Sequence, residues 1–118
     1  MYQTEIDGIW AAEFIVPGDM GTGVVFLQNG LIFGGDTGYY YKGNFKLESD
    51  QIVGRVTISH HSGEKVSIFG PISSITMELE GRYGEPWIVG QLRHPANFSV
   101  SASVKLRRIE RRSWSESK

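Results

Sequence analysis

Cysteine is absent from the chain, which removes disulfides, thiolate metal sites and cysteine nucleophiles from consideration. A cysteine-free chain fits a reducing compartment, and the expected location is the cytoplasm. No apolar run approaches the about 20 residues that a membrane-spanning helix needs. The opening segment, Met1-Tyr-Gln-Thr-Glu-Ile-Asp7, carries acids where a signal peptide has its apolar stretch. No membrane association is expected. Missing too are an internal repeat, a low-complexity linker and any apolar stripe of helical period beyond about two turns.

What is there is one domain's worth of sequence. With 118 residues, 40% hydrophobic and 21% charged, the chain can bury a core without staples and has no room for a second one. The expected domain covers residues 1–112, followed by a polar tail at 113–118. Net charge is −1, but it is unevenly placed. Residues 1–50 hold seven acids against Lys42 and Lys46, whereas 51–118 hold ten bases against six acids. Such a division marks two differently charged faces, or a means of orienting an oligomer or partner.

Apolar residues alternate along most of the chain. Phe98, Val100, Ala102, Val104 and Leu106 fall on one side of a two-residue period, with Ser99, Ser101, Ser103 and Lys105 on the other. That is a half-buried strand. Tyr39, Tyr41, Phe45 and Leu47 oppose Tyr40, Lys42, Asn44 and Lys46 in the same way. Gly43 interrupts the apolar side and suggests a bend or bulge. Asn29-Gly30 lies between two apolar runs and signals a tight type I′ hairpin. Pro17-Gly18-Asp19, Glu48-Ser49-Asp50, Gly81–Pro86 and His94–Asn97 supply the other turns. Strands are expected at 8–16, 22–28, 31–34, 38–47, 51–60, 74–80, 87–93 and 98–109, with a further short one at Val66–Phe69. Short connections favour antiparallel neighbours, and an eight-stranded up-and-down β-barrel removes the exposed edges. A two-sheet β-sandwich fits the same pattern.

Reactive constellations are hard to find. His60 and His61 are adjacent on a strand and point to opposite faces, and His94 precedes a proline. No metal or cofactor is expected. No Gly-x-Ser-x-Gly elbow accompanies the serines. Glu78 and Glu80 share the polar face of a strand, where water solvates them. Gly34-Gly35-Asp36-Thr37-Gly38 lacks the Lys-Ser/Thr and following helix of a phosphate loop. It reads as a sharp turn in which Asp36 accepts backbone amides. The run Lys105–Arg112 is basic, but the domain is slightly acidic and carries no nucleic-acid motif, so nucleic acid is not the expected partner. The chain reads as a binding protein and not an enzyme.

Two segments resemble a known family. Gly8-Ile9-Trp10-x-x-x-Phe14-Ile15 is similar to the opening strand of the GrlR-type negative regulators of type III secretion. Gly34-Gly35-Asp36-x4-Tyr41-Lys42-Gly43 resembles that family's most recognisable stretch. The resemblance covers chiefly residues 8–60. It implies a lipocalin-like barrel of bacterial origin that forms a homodimer and sequesters a transcriptional regulator by direct contact. In that family a run of four acids in one loop is credited with the contact. Here the loop reads Leu47-Glu48-Ser49-Asp50-Gln51, which keeps Glu48 and Asp50 but not the full run, pointing to a relative with a different partner or to one in a genome without that secretion system. Tyr40, exposed by alternation, joins Glu48 and Asp50 as a contact candidate. A rival reading is a carrier for a small apolar ligand, its interior lined by Trp10, Phe14, Phe26, Tyr39, Tyr41, Phe45, Met77, Trp87 and Phe98. So many large side chains favour a filled or narrow interior.

Overall fold

The computed structural model describes residues 5–111, apart from the side chain of Phe98. The polar tail expected at 113–118 lies outside the described residues. Eight strands follow one another: β1 (Gly8–Val16), β2 (Asp19–Gln28), β3 (Leu31–Gly35), β4 (Tyr39–Glu48), β5 (Gln51–His60), β6 (Ser74–Gly84), β7 (Trp87–His94) and β8 (Asn97–Arg111). Each pairs antiparallel with the next, and β8 returns to β1, with Gly8 opposite Arg111 and Ile15 opposite Ser103. The β1–β8 ladder excludes the sandwich. The sheet is a closed up-and-down barrel with no helix among the described residues.

The turns follow their chemistry. Asn29 and Gly30 both have positive φ, 53° and 81°, as a type I′ hairpin requires. Ser49, with φ 58°, begins the loop between Glu48 and Gln51, which face each other across β4 and β5. Residues 61–73 form no strand, so the short one expected at Val66–Phe69 is absent. Gly81-Arg82-Tyr83 belongs to β6 and not to a turn. Tyr83 falls on the inward parity there and meets Trp10 edge to face at 6.2 Å, which extends the strand to Gly84.

Alternation sends Trp10, Val25, Leu27, Ile32, Tyr39, Tyr41, Phe45, Ile52, Met77, Ile88 and Leu92 into one continuous core. Tyr40, between two buried tyrosines, is exposed. Two expected interior residues lie outside. Phe26 is 41% exposed because its neighbours Val25 and Leu27 take the inward positions, and Trp87 is 38% exposed because Ile88 does. In both segments every position is apolar, so the period of two loses its contrast.

Glycine fills many of the remaining inward positions. At Gly34, Gly43, Gly54 and Gly90 an added Cβ would collide with a carbonyl oxygen of the adjacent strand, that of Val24, Arg55, Asn44 and Glu80 respectively. The register passes through Gly43 unshifted, so this glycine marks close strand approach and not a bulge. Register shifts occur instead at Ile9/Trp10 and Arg93/His94. Bare backbone on the concave side lets the sheet curl tightly, and the molecule measures 42 × 29 × 21 Å.

Candidate functional site

At one end of the barrel the start of β1, the β6–β7 turn and the end of β8 converge on Arg108. Its side chain, only 5% exposed, grips Glu85 through Nε to Oε2 at 2.7 Å and Nη2 to Oε1 at 2.9 Å. Its Nη1 donates to the Asp7 carbonyl at 2.8 Å, and its Nη2 to the Glu5 carbonyl. The guanidinium lies 4.5 Å from the Trp10 ring centre, a stacked cation–π arrangement. Hydrogen bonding from Arg108 holds the Glu85 carboxyl below the usual carboxylate range, against a smaller opposing effect of burial. Asp7 is fully buried beside this lock, and the Asn29 N–H donates to its carboxylate at 3.2 Å. This end is a structural closure.

The basic run is divided accordingly. Arg108 is spent inside, Arg111 approaches Glu85 at 3.6 Å, and Lys105 sits 4.6 Å above the Trp87 ring on the outer wall. Arg112 lies outside the described residues. The run does not form one continuous basic stripe.

At the opposite end the glycine-rich segment delivers Asp36. Its Oδ1 accepts the backbone N–H of Gly38 at 3.0 Å and of Tyr39 at 2.8 Å, and its Oδ2 accepts the Tyr41 hydroxyl at 2.7 Å. Burial, then the hydrogen bond to Asp36 and its charge, push the Tyr41 hydroxyl far above the ordinary tyrosine value, so it stays a proton donor. Gly34, Gly35, Asp36, Tyr41 and Gly43 thus do local structural work: glycines permit strand contact, and the acid ties the β3–β4 loop.

The histidines serve turns. His60 Nε2 is 2.8 Å from the Gly63 carbonyl, His61 Nε2 is 3.1 Å from the Asp36 carbonyl, and His94 Nδ1 accepts the Ala96 N–H at 3.0 Å. No cluster of three His, Asp or Glu side chains able to hold a metal occurs among the described residues.

The interior is nearly solid. Its apolar void has a volume of about 40 Å³ between Phe14, Leu27, Tyr41, Ile58 and their neighbours, against roughly 300–1,000 Å³ for ordinary ligand sites. Trp10, Tyr39, Phe45 and Met77 are buried core, and Phe14 packs against it.

The contact candidates do not meet. Tyr40 and Glu48 lie towards opposite ends of the long strand β4, eight residues and about 26 Å apart at the usual rise. Tyr40 stands beside His61 at 6.4 Å between ring centres. Asp50 is bridged to Arg82 at 2.9 Å, both exposed, and Glu48 is exposed.

The outer wall of β2 and β3 holds a feature that alternation hid. Val24, Phe26, Leu31 and Phe33 all face outward and are between 38% and 46% exposed. Register puts Phe26 directly opposite Phe33, with Ile9 and Lys42 completing that row on β1 and β4. The signal lay in Val24–Leu27 and Leu31–Phe33, runs too apolar for a strand with one wet face.

The fold and its surfaces define a class: a small closed β-barrel with a packed interior, a locked end, an open end and an apolar stripe on its wall. No family model matches the chain, and no curated protein matches it. No helix of the described residues is long and apolar enough to cross a membrane.

Proposed function

We propose that this protein is a non-enzymatic regulatory module of the bacterial cytoplasm that works by protein–protein contact as a homodimer. The carrying observation is the stripe of Val24, Phe26, Leu31 and Phe33 on the β2–β3 wall. At the exposures given, these side chains offer roughly 300 Å² of apolar surface. That is the size of an interface centre. Ile9, Lys42 and Asn44 flank the stripe, and the remainder of the roughly 800 Å² per partner of a stable dimer comes from the surrounding outer faces of the barrel wall. A two-fold axis through the Phe26–Phe33 pair sets like against like, as isologous interfaces require.

The resemblance to GrlR-type regulators supports a transcriptional regulator as the sequestered partner. Glu48 and Tyr40 remain free for it at opposite ends of β4, and Asp50 is less available because Arg82 holds it. The cytoplasmic assignment rests on the cysteine-free sequence.

Sedimentation velocity tests the dimer. Wild type is expected to sediment as a dimer at micromolar concentration and Phe33→Glu as a folded monomer. A wild type that stays monomeric at about 100 µM, a concentration at which even weak dimers associate, would overturn the reading.

A further inference from the structure

The open end of the barrel contains a second, much larger cavity, of about 480 Å³. Its size falls within the range of small-molecule sites. Phe14, Tyr39, Tyr41 and Ile58 form the floor, and Val66, Ile68 and Phe69 from the irregular segment form the roof. Phe14, Tyr41 and Ile58 also line the small interior void. They are the partition between a filled barrel and an open mouth. Phe14 and Tyr41 lock edge to face at 5.5 Å within it.

The roof is fastened. The Tyr39 hydroxyl donates to the Ile72 carbonyl at 2.7 Å, Ser62 Oγ to the Thr37 carbonyl at 3.1 Å, and Ser67 Oγ to the Gly70 carbonyl at 2.8 Å. Phe69 and Ile72 are seated on the core. A site so tied is formed before any ligand arrives, which lowers the ordering cost of binding.

Charge selects the ligand. Asp19, Asp36 and Glu64 line the cavity, and no Lys, Arg or His does. Asp36 is pinned by three hydrogen bonds, its Oδ2 accepting the Tyr41 hydroxyl at the edge of the ring. Carboxylates set at the rim of an apolar and aromatic lining complement an organic cation by ion pairing, while the lining covers its apolar body. Anions meet only repulsion there.

From the cavity and this complementarity we propose that the mouth of the barrel binds a small amphipathic amine. The apolar body lies between the Phe14/Tyr41 floor and the Ile68/Phe69 roof, and the ammonium points to Asp36, Asp19 and Glu64. The site is separate from the β2–β3 wall, so dimer and ligand binding can fail independently.

Fluorescence titration of the full chain with three probes of one ring system tests this: dansylcadaverine (ammonium), dansylamide (neutral) and dansylglycine (carboxylate). The cationic probe is expected to bind best and the anionic probe worst. Asp19 and Glu64 are exposed, so each contributes up to about fivefold. The double variant Asp19→Asn/Glu64→Gln is therefore expected to cut cation affinity about tenfold and leave the neutral probe unchanged. Ile68→Arg places a cation in the cavity and is expected to abolish binding of dansylcadaverine, with an unchanged circular dichroism melt as the control for folding. Equal affinity for the three probes would overturn the proposal. So would binding indifferent to Ile68→Arg, or no saturable binding of the cationic probe below about 1 mM, the level of a site worth about 4 kcal/mol.

Discussion

Arg108→Met separates the closing lock from the rest of the barrel. Methionine keeps an aliphatic stem over Trp10 but removes the guanidinium. The Asp7 carbonyl loses this donor, whereas that of the exposed Glu5 keeps the Tyr83 hydroxyl, and a buried acceptor left unmet costs about 1–3 kcal/mol. Loss of the stacked cation at 4.5 Å from the Trp10 ring removes a further 1–2 kcal/mol or about that. Glu85 is 34% exposed, so water partly replaces its partner and the bridge itself is worth only about 1 kcal/mol. The sum is about 4 kcal/mol, a large share of the roughly 5–15 kcal/mol of an ordinary domain. Urea unfolding followed by far-ultraviolet circular dichroism measures it. Arg111→Met is the internal comparison: Arg111 is 62% exposed and 3.6 Å from the same carboxylate, and its loss is expected to cost under about 0.5 kcal/mol. A loss below about 1 kcal/mol for Arg108→Met, or equal losses for the two variants, would refute the claim that this end is fastened by one buried arginine.

The same lock gives a pH signature. The folded-state pKa of Glu85 is depressed by Arg108, so its stabilisation is present above the ordinary carboxylate value and is lost as pH falls through the depressed one. Glu85→Gln is expected to flatten the acid limb of a stability–pH curve without changing the alkaline limb. Gly90→Ala drives a methyl into the Glu80 carbonyl and to 2.6 Å from Gly81 Cα, and should cost about 1–3 kcal/mol. Gly84→Ala, with nothing within 4 Å of the new atom, should stay within about 0.5 kcal/mol in the same thermal melts. Tyr41→Phe removes the 2.7 Å hydrogen bond to Asp36 and should lower the urea-derived stability by about 1–2 kcal/mol. Asn29→Ala, at φ 53°, should lose about 1 kcal/mol by the same measurement, and Asn29→Gly almost none.

The barrel was legible wherever one face of a strand is wet. Phe98–Leu106 sets serines against aliphatics, and its strand came out within a few residues. The Tyr39-Tyr40-Tyr41 run resolved correctly because Lys42, Asn44 and Lys46 fixed the parity. Phe26 and Trp87 were misplaced for the opposite reason: Val24–Leu27 and Trp87–Val89 have no polar position to mark the outside. Inward glycines such as Gly54 and Gly90 blur the pattern further, since the residue that belongs to the core contributes no hydrophobicity. Arg108 sits on the inward parity after Leu106, so its burial was foreshadowed. Its partner Glu85, 23 residues away, was not, because nothing local links a turn carboxylate to a distant strand end. The mouth cavity had no signature at all. It is built by residues 61–73, whose sequence has no period, folded over a rim contributed by four other segments.

An even number of up-and-down strands brings the first and the last to the same rim, with Gly8 facing Arg111. A fluorescent protein, an affinity handle or a surface linker attached beyond either one would therefore emerge beside Arg108 and leave the opposite opening unobstructed. Joining the two by a short linker and cutting instead at Pro95-Ala96, an exposed two-residue turn, would give a circular permutant with its new ends at the mouth. Tethering the molecule first one way and then the other would present either rim to solution on demand.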